Sequence, residues 1–262
     1  MKRTRVLLTV SALIFLRAAC LCSAENESVS QDAFASANEY YKKAEYEKAI
    51  IEYKKVLDKG YESEPLYYNM GNTYYKIGKL GEAILNYERA ECLMPRDADL
   101  ASNYGFARAS IKAGLIPEKK GIWSWRPLNL YVNNFSVNEL CRIASGAYVL
   151  VILLFVTAVV RGKSGPRQLV AIVLLIIFAL LSAGSVYYKA ARIKRAGVAI
   201  THDTEVLFGP FDSATKFFTL QEGMCVEILS EKDDWYKIRR VDGKVGWVKK
   251  PAVEKIANGK NL

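Results

Sequence analysis

The chain has 262 residues, 51% of them apolar, and a formal net charge of +10. That length suits one or two ordinary domains, but much of the apolar content is gathered in three blocks, which excludes a single soluble globule. The basic residues cluster at the N-terminus, flank two apolar runs and otherwise scatter among glutamates, with no basic stripe carrying interleaved stacking aromatics, so nucleic acid is not the expected partner.

The first block begins with Lys2, Arg3 and Arg5, continues through the apolar run Val6 to Leu16, and ends on Cys22-Ser23-Ala24. A basic start, a short apolar core and small residues predict a secretory signal peptide over 1–24. Beyond it lie three cysteines, Cys92, Cys141 and Cys225, in three different segments. Their spacing suits neither a disulfide framework nor a metal site.

Residues 30–116 hold an internal repeat. At an offset of 34, Tyr40 matches Tyr74, Tyr41 matches Tyr75, Ala49 matches Ala83, Ile50 matches Ile84, and Tyr53 matches Tyr87. A period of about 34 is that of a tetratricopeptide repeat, a pair of helices that buries its apolar face only against neighbours. Gly71, Tyr74, Ala83, Tyr87, Ala90 and Pro95 of the second unit resemble that family's signature. The first unit carries Ala37 where the glycine falls. A third partial match, Asn103-Tyr104-Gly105, opens a capping helix expected to stop near Gly114.

The resemblance implies a peptide-binding groove lined by the first helix of each unit. Carried onto matching positions, the groove presents Asn38, Tyr41, Lys42, Asn69, Asn72, Tyr75, Lys76 and Asn103. Asparagine amides can pair with an extended backbone and lysines with a carboxylate. The same asparagines could instead tie neighbouring helices together. Phe34 and Asp99 stand where the carboxylate-clamping version of the fold has basic residues, which argues against a terminal-carboxylate ligand.

A juxtamembrane segment, 117–139, carries Trp123, Trp125, Tyr131 and Phe135, aromatic residues suited to a membrane–water interface. Two transmembrane helices are expected at 140–160 and 169–189, around the uncharged runs Ile143 to Val160 and Leu169 to Tyr188. The short loop between them, 161–168, is basic and contains Gly and Pro. Lys and Arg flank both ends of the hairpin, so charge counting leaves orientation open. The export signal orients it: both soluble domains are expected on the periplasmic side of a bacterial inner membrane.

From 197 to 256 the pattern changes to short alternating runs, MCVEIL and WYKIRR, with Asp242-Gly243 at a hairpin turn. Glu222-Gly223, Trp235-Tyr236-Lys237-Ile238 and Gly243-Lys244-Val245-Gly246-Trp247-Val248 resemble a bacterial SH3-type domain, a small all-β barrel. The resemblance implies cell-wall or peptide binding, with Trp235, Tyr236 and Trp247 as candidates for the ligand surface.

Catalytic parts are missing from this pattern. His202 is the single histidine, without a partner nucleophile or metal-ligand set, and Asp233-Asp234 are adjacent in a strand-flanking turn, a poor acid/base pair. No enzyme activity, cofactor or metal is expected.

Taken together, the chain reads as a multidomain membrane protein: an all-α tetratricopeptide-repeat domain, two transmembrane helices and a small all-β SH3-type barrel. That order resembles the BatE proteins of the Bacteroides aerotolerance operon group. The resemblance implies a scaffold in the lipid bilayer whose partners are membrane proteins, other Bat-type proteins with von Willebrand factor A-type domains among them, in a complex linked to oxygen or stress tolerance. Peptidoglycan is the alternative partner.

Overall fold

The computed structural model describes residues 27–111, 132–161 and 166–257. The signal segment 1–24, Trp123, Trp125, Tyr131 and the middle of the basic loop lie outside the described residues. The chain divides into two compact units, Met1–Glu62 and Ser63–Leu262.

The first unit contains α1 (Glu27–Lys42) and α2 (Tyr46–Asp58). Apolar residues at helical spacing put Ala49, Ile50, Tyr53 and Val56 on the buried face of α2, where they meet Ala37 of α1. The Phe34 and Tyr53 rings pack with centroids 5.9 Å apart. The turn between the helices places Ala44 in the left-handed region (φ 58°).

The second unit starts with α3 (Glu64–Lys76), α4 (Leu80–Leu93) and α5 (Ala98–Ala109). Ser63 caps α3, its hydroxyl accepting from the Leu66 N–H, with Pro65 in the first turn. Asp97 caps α5 through the Leu100 N–H at 2.7 Å. The capping helix is shorter than expected: α5 ends at Ala109, where the Ser110 hydroxyl turns back onto the Phe106 carbonyl. The α3–α4 turn repeats the geometry of the first unit, with Gly78 at the position of Ala44 (φ 75°).

Two long helices follow, α6 (Val137–Arg161) and α7 (Pro166–Arg195), packed on each other. Both extend beyond the expected spans. The reason at the start of α6 is a capping box: the Ser136 hydroxyl accepts from the Glu139 N–H at 3.2 Å, and the Glu139 carboxylate accepts from the Ser136 N–H at 2.8 Å. At its far end α7 carries Arg192, Lys194 and Arg195 in the last turn, favourable beside the negative end of the helix dipole. Leu153, Phe155, Leu174 and Leu180 are all more than half exposed. Both helices are long and apolar enough to cross a membrane.

No residue separates α7 from the first strand. β1 (Ala196–Ala199) begins where the helix stops, followed by β2 (Thr204–Leu207), β3 (Lys216–Leu220), β4 (Cys225–Lys232), β5 (Trp235–Arg240), β6 (Val245–Lys249), a single 3-10 turn at Lys250–Ala252, and β7 (Val253–Lys255). The strands form one antiparallel sheet in the order β3-β2-β6-β5-β4-β1-β7. Irregular register in β2 at Val206/Leu207 and in β4 at Ile228/Ser230 bends the sheet. Alternation places Val206, Leu220, Val226, Ile228, Ile238, Val248 and Val253 in the shared core. Gly243 (φ 90°) closes the β5–β6 turn.

Candidate interaction site

The asparagines of the repeats have structural partners. In the first unit the Tyr53 hydroxyl donates to Asn38 Oδ1 at 2.6 Å, and the Lys42 ammonium donates to Glu39 at 3.0 Å. Tyr41 packs edge-on against Tyr46, with centroids 5.5 Å apart. In the second unit the Tyr87 hydroxyl donates to Asn72 Oδ1 at 2.7 Å, the same bond 34 residues on. Asn72 Oδ1 also accepts from the Asn103 side-chain amide at 3.0 Å, and that amide donates to the Tyr68 hydroxyl. The Asn69 main-chain carbonyl accepts from the Thr73 hydroxyl one helical turn on. Tyr75 and Lys76 are exposed, and the Tyr75 hydroxyl lies 3.3 Å from that of Ser110. Asn72 and Asn103 thus join α3, α4 and α5, while Tyr75 and Lys76 form the open surface beside them.

The opposite face of the second repeat is built for the barrel, and sequence reading missed it. Arg89 of α4 is 6% exposed. Its guanidinium donates to the carbonyls of Ile256 and Lys255 and to the Glu254 carboxylate at 2.7 Å, gripping the C-terminal strand. The start of α4 meets the β1 end: the Gly81 N–H donates to Glu222 at 2.7 Å. A Cβ at position 81 would lie 2.8 Å from the Ala199 carbonyl oxygen, so only glycine fits. At Gly223 (φ 82°) an added Cβ would lie 2.9 Å from the Ile84 side chain. The other Glu222 oxygen is 2.6 Å from His202 Nδ1, which places the lone histidine in this joint.

Farther along α4, Glu88 accepts from the Tyr104 hydroxyl and from the Cys225 thiol of β4. Burial, then the Glu88 charge, pushes the Cys225 thiol well above its ordinary range. The same two causes hold the Tyr104 phenol protonated and push Cys92 up to about 12. These thiols stay protonated at neutral pH, so they serve as packing groups and a weak donor, not as nucleophiles. Cys141 is exposed on α6.

On the barrel, Trp235 is nearly buried, with the Lys249 ammonium 5.6 Å from its ring. Trp247 is half-buried under Lys237, and Tyr236 lies beneath both Lys250 and Lys255. Tyr236 lines a cleft of about 450 Å³ with Ile200, Pro251, Val253 and Glu254. The most open aromatic group is a different one: Phe208, Phe211 and Phe217, at 60%, 55% and 38% exposure. Phe208 and Phe217 stack 4.3 Å apart. The Phe-Gly-Pro-Phe run at 208–211 was the available signal, since an aromatic pair around a Gly-Pro turn has no core position to fill.

Residues 208–254 match the family model of the bacterial SH3 domain. The molecule is therefore a helical region, including two long apolar helices, followed by an antiparallel SH3-type domain. No curated protein matches the chain.

Proposed function

We propose that this chain is a non-enzymatic, membrane-anchored scaffold. Its tetratricopeptide-type repeats bind a segment of a membrane partner within a Bat-type envelope complex linked to oxygen or stress tolerance. The single observation that carries the reading is the division of labour on the second repeat. One face is consumed by the barrel through Arg89 and Gly81, while Tyr75 and Lys76 stay exposed beside Asn72. Two binding modules held beside one membrane raise the local concentration of any partner that engages both. The apolar exposure of α6 and α7 supports insertion in the bilayer, and the N-terminal export pattern supports a periplasmic position for both soluble domains.

The test is co-purification from detergent extracts with and without Tyr75→Ala and Lys76→Glu, the exposed pair beside Asn72. Partner recovery should fall with either substitution. Unchanged recovery would remove the groove from the account. Protease digestion of intact spheroplasts and inverted vesicles tests the orientation: both domains should be cut in the former and protected in the latter.

One observation favours a second reading, cell-wall binding through the SH3-type domain. Phe208, Phe211 and Phe217 form an exposed aromatic surface within the matched segment. The detergent-solubilised full chain should then sediment with purified peptidoglycan, and Phe208→Ala should release it. A chain that stays in the supernatant rules this out.

A further inference from the structure

The last two turns of α7 and the β4–β5 face of the barrel enclose a cleft of about 580 Å³. Its walls carry four guanidinium groups, those of Arg192, Arg195, Arg239 and Arg240, with Tyr188 at one end. The barrel arginines are neutralised in place. Arg239 bonds Glu227, also in the wall, and Arg240 makes a two-pronged contact with Asp242. Arg192 donates to the neutral Asn133 side chain at 3.2 Å. Among the described residues neither Arg192 nor Arg195 has a carboxylate within ion-pair distance. Both are exposed. The neighbouring Lys189 is turned away, its ammonium held by the carbonyls of Val132 and Phe135.

The position of this cleft along α7 gives it meaning. Tyr188, Arg192 and Arg195 recur at helical spacing on one face. Tyr188 ends the uncharged apolar run, where amphipathic rings sit at the edge of the hydrocarbon. Seven residues of helix carry Arg195 about 10 Å beyond it. Polar headgroups occupy roughly 5–8 Å of each leaflet. Arg192, about 6 Å beyond Tyr188, therefore stands at headgroup height, and Arg195 stands just past the outer edge of that layer, within reach of it along its long side chain. Guanidinium forks match phosphate oxygens in geometry and charge.

We infer that this cleft binds the phosphate of an anionic phospholipid headgroup, with Arg192 and Arg195 as its primary contacts. The inference rests on the reading of α6 and α7 as membrane spans. A lipid so held would brace the barrel against the outer end of α7.

The experiment is native mass spectrometry of the full chain in detergent, titrated with phosphatidylglycerol, with phosphatidylcholine, and with inorganic phosphate alone. Phosphatidylglycerol should bind in preference to phosphatidylcholine. The double substitution Arg192→Gln/Arg195→Gln should weaken that binding roughly thirtyfold, at about fivefold per arginine. Lys194→Gln, which removes a charge next to the cleft but not in it, should leave the preference intact. Three results would each overturn the inference: an unchanged preference in the double variant, an equal loss in Lys194→Gln, or inorganic phosphate binding at the arginines without any lipid preference. Alkaline washing of membranes separates this from failure of the underlying reading. A chain released by the wash is not membrane-spanning, and both ideas fall together. A chain that stays, without lipid preference, sinks only the lipid site.

Discussion

The two repeats descend from one pattern and have opposite surroundings. Both close with the same tyrosine-to-asparagine bond, Tyr53 to Asn38 and Tyr87 to Asn72, and both turn through a left-handed residue, Ala44 and Gly78. Their outer faces diverge position by position. Glu47 corresponds to Gly81, Ile51 to Leu85 and Lys55 to Arg89. Ile51 is 55% exposed and Leu85 is 2% exposed. The Lys55 side chain is 54% exposed in an i,i+3 pair with Glu52, whereas Arg89 is buried against the barrel. The shared residues encode the helical pair. The unshared ones encode whether that pair meets water or protein.

Replacing Arg89 should break this contrast most severely. Arg89→Ala leaves the buried Ile256 carbonyl and the part-buried Lys255 carbonyl without their donor and should cost about 3 kcal/mol, measured by chemical unfolding of the detergent-solubilised chain. Lys55→Ala, the matching change in the first repeat, should cost under about 0.5 kcal/mol because exposed pairs contribute little. Equal losses would mean that the barrel contact is not what Arg89 supports.

Next in size is the exchange at the start of the helix. Gly81→Ala pushes a methyl into the β1 backbone, which cannot yield cheaply, and should cost about 2 kcal/mol. Glu47→Ala should be close to neutral in the same unfolding assay.

Acid should separate the barrel from the repeats. Hydrogen bonding from Arg240, aided by the Lys244 N–H, holds the Asp242 carboxyl down to about 2, against an ordinary 3.8. A lowered value stabilises the fold fully above the ordinary value. That contribution is lost as pH falls through 3.8 toward 2. Asp242→Asn should therefore remove about 1.5 kcal/mol at neutral pH and flatten the pH dependence of unfolding between those limits.

The smallest effect tests the sameness of the repeats. Tyr53→Phe and Tyr87→Phe should each cost about 1 kcal/mol by loss of one hydrogen bond. Equal losses in the same unfolding assay would show that the bond does the same work in both repeats.

Period and alternation made the helices, the long apolar pair and the strand-rich end legible, because each arises from contacts within an element or with its neighbour in sequence. The joint was not legible. Arg89 reads as a polar residue on an amphipathic helix, and its partners Glu254, Lys255 and Ile256 lie more than 160 residues away. Gly81 carried a faint signal, since glycine is costly in the first turn of a helix without a close approach to require it. The asparagines were legible as polar residues on one face, but Tyr68 and Tyr87 as their partners follow only from the helix packing. Trp235 and Trp247 were conspicuous because tryptophan is rare, while the open surface belongs to three phenylalanines around a turn.

The direct passage from α7 into β1 has a mechanical consequence. A binding module on a flexible tether explores a volume set by the length of that tether. With no residue between helix and strand, the tether length here is zero. The barrel rides the helix as a fixed head on a shaft, so its ligand must come to the bilayer rather than be fished from a distance. The same stiffness runs in reverse: a load on the barrel reaches the helix as torque, undamped by any intervening loop.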